Sequence, residues 1–247
     1  MKYRIQKFDP STLKPNCRYL FIGRSGGGKT VCMRHVLHEL RKSIDLSLCF
    51  TPSLAAKKAF KQMVPAQFMF DELNLATLEK ALDLQQELLA QKKSRTILAI
   101  ADDCAFDKAV WRSSTIRRLF MQGRHSRMGM ALSMQYLMDL PPDLRTNVSY
   151  VFATADSIHQ NKKRLFNAFF GCFDRYSVFD ACFSQLTKDY NVIVLDNTRT
   201  TNSIEESVFW WKASPSLPPF RLCRPVYEKL SQLPREDDEH KSVLLKA

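Results

Sequence analysis

The stretch GRSGGGKT, Gly23 to Thr30, decides the fold of this chain. Four of the chain's seven glycines lie inside it, which indicates one loop with backbone conformations that other residues rarely adopt. A short apolar run, Arg18 to Ile22, precedes the loop and predicts a buried strand. From Lys29 to Lys42 apolar residues recur at helical spacing, so an amphipathic helix is expected next. Strand, loop and helix in this order match the phosphate-loop pattern G-x-x-x-x-G-K-[ST].

Each residue type in this loop suits the binding of a triphosphate. The glycines let consecutive backbone N–H groups turn toward phosphate oxygens, and the following helix adds the dipole of its N-terminus. The Lys29 ammonium is expected to reach the β- and γ-phosphates, and the Thr30 hydroxyl to bind Mg²⁺. The pattern therefore predicts ATP and Mg²⁺ as cofactors. The predicted nucleotide-binding residues are Gly23, Arg24, Ser25, Gly26, Gly27, Gly28, Lys29 and Thr30.

Two carboxylates follow a second apolar strand, Thr96 to Ala101. In a sheet with a phosphate loop, an acid at the carboxyl end of a neighbouring strand lies beside the phosphate crevice. Asp102 is expected to hold Mg²⁺, partly through water, and Asp103 to orient and polarise the attacking water. The alternative is that the strand merely ends in an aspartate that caps the next helix. Glutamate is commoner than aspartate at the second position.

A further polar residue, Gln135, follows the apolar run Met130 to Met134. At the end of a strand it could contact the γ-phosphate or the attacking water, although an ordinary loop residue is an equally good reading. The transition state also needs an arginine near the γ-phosphate. The candidates are Arg117, Arg118, Arg124, Arg127 and Arg145. Arg124, in a loop before a strand, and Arg145, after Pro141 and Pro142, could each reach a neighbouring subunit's nucleotide in a ring. The predicted catalytic residues are Lys29, Asp103, Gln135, Arg124 and Arg145.

The rest of the chain alternates between apolar runs and helical patterns. Strands that are apolar along their whole length predict a parallel sheet covered on both faces, an α/β fold. We expect a P-loop domain over residues 1–213 and a C-terminal peripheral arm over 214–247 with one short helix, Val226 to Leu233. The other predicted strands are Leu46 to Phe50, Val148 to Ala153, Asn191 to Leu195 and Val208 to Trp211, and the other predicted helices surround Leu78 to Leu89, Val110 to Met121 and Ser157 to Phe170.

The composition limits the partners and the compartment. Lysine and arginine total 37 against 25 acids, a net charge of +12, which favours a polyanionic partner such as nucleic acid or an anionic membrane surface. A basic protein without such a partner is the alternative. No apolar run is long enough for a membrane-spanning segment. The seven cysteines are odd in number and unpaired in spacing, which indicates reduced thiols rather than a disulfide framework.

Four features in this order resemble the poxvirus-type genome-packaging ATPases of nucleo-cytoplasmic large DNA viruses, a branch of the FtsK–HerA superfamily of P-loop motors. The resemblance covers roughly Arg18 to Trp211. The phosphate loop is generic, whereas Gln135 and the Arg-x-Asn element at Arg145 and Asn147 are more specific to the branch. The features are GRSGGGKT, the apolar strand ending in Asp102-Asp103-Cys104, GRHSRMGMALSMQY, and LPPDLRTN leading into VSYVF.

The resemblance implies a P-loop fold of the additional-strand type and a homo-oligomeric ring, expected to be a hexamer. It implies Mg-ATP hydrolysis coupled to movement of double-stranded DNA into a capsid, with capsid or portal-vertex proteins as partners. The protein would then act in the virion or the host cytoplasm. Lys29, Thr30, the acidic pair and Gln135 take the family's roles, and Arg124 or Arg145 becomes the arginine acting on a neighbour. Paired aspartates are acceptable in this branch.

Other functions remain open from the sequence. A HerA-like end-processing ATPase or a conjugation-type pump would share ATP and DNA but serve a different partner. A small P-loop kinase would need a lid and a small-molecule acceptor, and a nucleotide-gated scaffold would bind ATP with little turnover. The basic positions worth testing for DNA contact are Lys57, Lys58, Lys61, Lys162, Lys163 and Arg164, although solvated helix faces are the favoured reading.

Overall fold

The structure is a computed structural model that describes residues 3–93, 95–104 and 109–230. Within these ranges the strands form one nine-stranded sheet. In chain order the strands are β1 (Gln6–Lys7), β2 (Arg18–Ile22), β3 (Leu46–Phe50), β4 (Met69–Phe70), β5 (Ile97–Asp102), β6 (Met128–Met134), β7 (Tyr150–Ala153), β8 (Asn191–Asp196) and β9 (Val208–Lys212). Because β2, β3, β5, β6 and β7 are buried at every residue, the sheet forms the middle of the core.

The helices connect these strands. They are α1 (Lys29–Leu40), α2 (Leu54–Phe60), α3 (Leu75–Ala90), α4 (Ser114–Gln122), α5 (Pro142–Arg145), α6 (His159–Phe169), α7 (Tyr176–Leu186), α8 (Ile204–Ser207) and α9 (Pro225–Leu230). Side-chain caps start several of them: Ser53 begins α2, Asn74 begins α3 and Ser113 begins α4, each accepting from a backbone N–H of the first turn. No helix in the described ranges is both long and apolar enough to cross a membrane.

The strand order is β1-β9-β8-β7-β2-β6-β5-β3-β4. All neighbours are parallel except that β8 is antiparallel to both β7 and β9. The chain moves from β2 to β3 in one direction and then returns through β5 and β6 to β7. Since crossovers between parallel strands are right-handed, α1 covers one face of the sheet and α3 and α4 cover the other. The prediction of a mostly parallel sheet with helices on both faces is confirmed, and β6 is the additional strand between β2 and β5.

The sequence located the main strands well and missed several short elements. β2 and β3 have the predicted bounds, and the other predicted strands differ at their ends by one or two residues. The helix expected over Val110–Met121 is divided into a 3-10 turn, Val110–Arg112, and α4, because Ser113 caps a new helix. The elements that the sequence did not predict are β1, β4, α2, α5, α7 and α8.

Residues 214–230, the described part of the C-terminal segment, pack on the rest of the chain. The Ser214 N–H donates to His35 Nδ1 at 2.9 Å, the Leu222 N–H donates to the Met63 carbonyl at 2.9 Å, and Arg224 forms an ion pair with Asp45. Leu222 is completely buried in the core. The predicted arm therefore contributes core residues between 214 and 230. Its helix begins at Pro225, while residues 231–247, with the acidic run, lie outside the described residues.

The phosphate-loop segment lies directly against the end of β7. The Thr154 N–H donates to the Ile22 carbonyl at 3.0 Å, which holds the residue after β7 beside the start of the loop. A β-carbon on Gly23 would overlap Thr154 Oγ1, and Gly23 has a φ of 151°, a conformation that side chains disfavour. Glycine is therefore required at this position for the loop to pass Thr154.

Removing a buried side chain from the C-terminal segment should destabilise the whole domain. Leu222→Ala leaves a cavity in the core, so we expect the free energy of unfolding to fall by about 2–5 kcal/mol. Val226→Ala, on the exposed side of the same segment, should change it by less than about 0.5 kcal/mol. Urea denaturation of both variants measures this. Equally small effects would show that the segment does not stabilise the domain.

The Gly23 contact can be tested by a double-mutant cycle. Gly23→Ala should lower the free energy of unfolding by about 1–3 kcal/mol, since the new methyl group overlaps Thr154 and the backbone is strained. Adding Thr154→Ala should recover part of that loss, giving a coupling free energy between the two sites. Gly171→Ala is the matched control, because a β-carbon there meets no atom within 4 Å. Additive single-mutant effects would contradict the proposed overlap.

Candidate nucleotide-binding site

The loop after β2 turns back on itself through left-handed glycines. Gly26 has a φ of 73° and Gly28 a φ of 90°, values that only glycine adopts at little cost. Gly28 is the N-cap residue of α1, and its carbonyl accepts the Cys32 N–H at 2.9 Å. No side chain caps this helix. The first N–H groups of α1 are therefore available to an anion beside the loop.

Lys29 is buried at this loop with most of its donors unused. Only 5% of the residue is exposed. Its ammonium donates to the Arg24 carbonyl at 3.1 Å, and among the described residues no carboxylate lies within ion-pair distance of it. A lysine ammonium has three donors, so two remain for a ligand. A buried ammonium that lacks an anionic partner is the arrangement that a phosphate group would complete.

Asp102, the last residue of β5, is the buried acid of the site. Its ladder partner on β6 is Ser133, whose hydroxyl donates to Asp102 Oδ1. Burial raises the pKa of Asp102; the Ser133 hydrogen bond lowers it, the Asp103 charge raises it and the Lys29 charge lowers it. Burial has the largest effect, so the ionised carboxylate lacks the charge compensation that a bound cation would give.

Asp103 and Gln135 meet at the ends of β5 and β6. Asp103 has a φ of 49°, and its N–H donates to Ser133 Oγ at 3.2 Å. The Gln135 Nε2 amide donates to Asp103 Oδ2 at 3.4 Å, at the long end of the hydrogen-bond range. The left-handed backbone turns Asp103 away from the strand direction, so that its carboxylate lies next to Gln135. The structure thus brings together two residues that the sequence analysis selected separately.

The oxygen ligands at the site fit Mg²⁺ bound together with phosphate. No cluster of three His, Cys, Asp or Glu side chains that could hold a metal occurs among the described residues. Mg²⁺ does not need one, because it keeps several waters and takes one or two protein oxygens plus phosphate oxygens in nucleotide sites. Thr30, in the first turn of α1, and Asp102 would supply those oxygens. The cation would neutralise charge on the phosphates.

Among the described residues, neither Arg124 nor Arg145 forms a hydrogen bond with the phosphate loop, the acidic pair or Gln135. Arg124 is in the connection from α4 to the amino end of β6, and its Nη2 donates to Ser149 Oγ at 2.9 Å, just before β7 begins. Arg145 is on α5, where its Nε donates to the Leu140 carbonyl at 2.8 Å. Arg124 therefore lies at the amino ends of the parallel strands, whereas the phosphate loop of its own chain lies at their carboxyl ends.

Two residues at the site were missed by the sequence analysis. Ser133 joins Asp102 to Asp103 through its hydroxyl, and Thr154 fills the space beside Gly23. Ser133 left a weak signal, since it is a polar residue inside the apolar run MALSM. Thr154 left none, because its position depends on β7 being the neighbour of β2.

The basic positions selected as possible DNA contacts divide into two groups. Lys57 forms an ion pair with Asp71, and Lys162 forms one with Asp180. The exposed group consists of Lys58, Lys61, Lys163 and Arg164. Exposed cations without a carboxylate nearby are the better candidates for a polyanion, because they need not give up an existing ion pair.

Similar sequences come from large DNA viruses. An uncharacterised protein of Acanthamoeba polyphaga mimivirus is 29% identical over 222 residues, covering 86% of this chain and 78% of the relative. An uncharacterised protein of Invertebrate iridescent virus 6 is 27% identical, covering 85% of this chain and 86% of the relative. These relatives match nearly the whole domain described above.

Similar structures show the same fold. B204, the DNA-packaging ATPase of Sulfolobus turreted icosahedral virus, superposes with a TM-score of 0.59 at 17% identity, covering 82% of this chain and all of that one. The genome packaging NTPase B204 of Sulfolobus turreted icosahedral virus 2, in complex with AMPPCP, gives a TM-score of 0.56 at 17% identity, covering 85% of this chain and all of that one. At such low identity the likeness establishes the fold alone.

The family described as Poxvirus A32 protein matches residues 5–209. This range includes the phosphate loop, the acidic pair and Gln135, which carried the resemblance in the sequence. The chain therefore belongs to the poxvirus A32 protein family.

Proposed function

We propose that this chain is an ATP-driven motor that moves double-stranded viral DNA into the capsid. The observation that carries the proposal is the buried Lys29 ammonium, which has one carbonyl partner. It lies at the carboxyl ends of the parallel strands, as Asp102 and Asp103 do. A cation with free donors, at the same ends of the strands as two carboxylates but paired with neither, suits a phosphate chain and a divalent cation bound between them. The family and the fold support the same activity.

The chain's residues would divide the hydrolysis of ATP among them. The loop amides and Lys29 would hold the β- and γ-phosphates. Asp103 would accept a proton from water as the water oxygen attacks the γ-phosphorus. The bond from that phosphorus to the bridging oxygen would break, and ADP would leave with the electron pair. Asp102, fixed by Ser133, would hold Mg²⁺ with Thr30.

Gln135 would report the state of the nucleotide. Its amide contacts Asp103 at 3.4 Å, and the segment after it leads through Met138 and α5 to β7. Loss of the γ-phosphate would change the contacts of Gln135 and so move this connection. Such movement of a segment on hydrolysis is how nucleotide switches transmit their state.

The complete site would need a second copy of the chain. Transfer of a phosphoryl group is accelerated by an arginine beside the γ-phosphate. Arg124 lies at the amino ends of the strands, away from the phosphate loop of its own chain, so it could act only on the nucleotide of a neighbouring subunit. This supports a homo-oligomeric ring, which we propose to be a hexamer, with Arg124 or Arg145 acting across the interface.

Double-stranded DNA would pass along the exposed cations of the ring. The net charge of +12 favours a polyanion, and contacts to the phosphate backbone are independent of sequence, as a translocating motor requires. Lys58, Lys61, Lys163 and Arg164 are the proposed DNA contacts. The ring would dock on capsid or portal-vertex proteins, in the virion or in the host cytoplasm.

The phosphate loop can be tested together with the motor. Wild-type protein with Mg²⁺ should release phosphate from ATP, and duplex DNA should stimulate the rate, with less stimulation as salt rises because the contacts are electrostatic. Lys29→Ala should abolish turnover with and without DNA, since the γ-phosphate loses its charge partner. Phosphate release measured across a salt series checks both expectations.

Lys42→Ala, an exposed lysine just after α1, is the matched control and should keep the wild-type rate. A wild-type rate in Lys29→Ala would contradict the assignment of the phosphate loop. Turnover that duplex DNA does not change would contradict the motor and favour a small-molecule kinase. Binding without turnover would favour a nucleotide-gated scaffold.

Asp103→Asn should separate binding from chemistry. The amide cannot accept the proton of the attacking water, so kcat should fall by about 100-fold or more while the Kd for ATP stays unchanged. Asp174→Asn, an exposed aspartate in the connection from α6 to α7, should change neither value. Single-turnover hydrolysis and equilibrium binding provide the two readouts. An unchanged kcat in Asp103→Asn would remove Asp103 from the catalytic residues.

A further inference from the structure

The reversed direction of β8 brings an aromatic residue to the carboxyl ends of the parallel strands, where the phosphate loop lies. Because β8 is antiparallel to β7, its first residues lie where the parallel strands end. Ala153, the last residue of β7, pairs with Ile193. Tyr190 precedes Ile193 by three residues, so it lies beyond the end of β7, on the side where the loop after β2 is found.

Tyr190 lies beside the last glycine of the phosphate loop and faces solvent. A β-carbon placed on Gly28 would be 3.9 Å from Tyr190 Cδ1. Tyr190 is nevertheless 77% exposed, more than any other large hydrophobic or aromatic side chain in the described ranges. Packing against the described residues of its own chain therefore does not account for the position of this ring.

The backbone that presents the ring is in a conformation that costs free energy. Asp189 and Tyr190 have φ values of 55° and 62°, both left-handed. A bulky residue with positive φ is a genuine outlier, and such conformations concentrate at ligand-binding sites. Asparagine or glycine would adopt it more easily, so the aromatic ring is present despite the backbone.

The orientation of the bound phosphates follows from the two sides of the loop. Asp102, Asp103 and Gln135 lie on the side of β5 and β6, which places the γ-phosphate there. The strand order puts β7 and β8 on the other side of β2. The nucleoside end of a bound nucleotide would then extend from Gly28 away from the acids, toward the side that holds Tyr190.

We propose that Tyr190 is the stacking surface for the base of the bound nucleotide, an inference that rests on the proposed nucleotide site. The exposed ring supplies an apolar face on which any base can stack, and it adds no hydrogen-bond readout from its face. Tyr190 therefore contributes affinity for a nucleoside triphosphate over inorganic triphosphate. It discriminates little among the purines.

Tyr190→Asn tests this role with a variant that suits the backbone. Asparagine tolerates positive φ better than tyrosine, so the variant should be at least as stable as wild type in thermal denaturation. Its Kd for ATP and for GTP should rise about 10-fold, since a stacking contact is lost. Its Kd for Mg²⁺-bound inorganic tripolyphosphate should stay unchanged. KM should rise with Kd, with little change in kcat.

Two further variants complete the design. Tyr190→Trp retains a stacking ring and should keep nucleotide affinity within about 2-fold of wild type. Tyr136→Asn removes another exposed tyrosine, 61% exposed, on the β6 side of the loop, and should leave the preference for ATP over tripolyphosphate unchanged.

The outcomes separate this inference from the function on which it rests. Wild-type protein that binds neither ATP nor tripolyphosphate would overturn the nucleotide site itself. Wild-type protein that binds both, with the same ATP preference in Tyr190→Asn, would overturn the stacking role alone. Equal weakening of ATP and tripolyphosphate in Tyr190→Asn would also overturn it, because the ring would then act on the phosphates or on the loop.

Discussion

The register of the parallel strands sets the position of the site's side chains. Ile22, the last residue of β2, pairs with Met134 on one side and Ala153 on the other, and Asp102 pairs with Ser133. Four strands therefore end at nearly the same level. The residues that follow them are the phosphate loop, Asp103, Gln135 and Thr154. A shift of one residue would move every side chain of a strand to the opposite face of the sheet, so the packing of the core also fixes the geometry of the site.

The same alignment places charged groups where burial penalises them. Lys29 is almost fully buried, and burial raises the pKa of Asp102. Two such groups cost free energy unless partners compensate them. The Arg24 carbonyl and the Ser133 hydroxyl supply part of that compensation. A phosphate chain and a divalent cation would supply more. Ligand binding and the relief of these costs are then the same event, as expected where strain is kept at a functional site.

How much of this the sequence revealed depends on the range of each signal. The phosphate loop and the acidic pair are local patterns, and their strands have local periodicity. The helix α7 was missed although its buried residues, Phe179 and Phe183, are four apart, which is a helical spacing. The two-residue strands β1 and β4 are too short to carry a pattern. Their existence depends on pairing with β9 and β3.

Strand direction is the property that the sequence hid most completely. A buried run such as Asn191 to Asp196 reads the same whether it runs parallel or antiparallel to its neighbours. Only the pairing of Ala153 with Ile193 shows that β8 is reversed. That reversal is what brings Tyr190 to Gly28. Likewise, Gln135 could be identified as a strand-end amide, but its contact with Asp103 required the order of β5 and β6.

The positions of the site and of Arg124 at opposite ends of the parallel strands constrain how subunits could cooperate. The candidate nucleotide site lies at the carboxyl ends of the parallel strands, whereas Arg124 lies near Ser149, at their amino ends. If Arg124 contacts the nucleotide of a neighbour, the surface at the amino ends of one subunit's strands must face the surface at the carboxyl ends of the next subunit's strands. Such a contact joins two different surfaces, and repeated contacts of this kind close into a ring when the rotation allows it. Arg145 is on α5, in the connection from β6 to β7, so its action on a neighbour's nucleotide would require a different surface at the interface. The identity of the arginine and the geometry of the interface are therefore a single question.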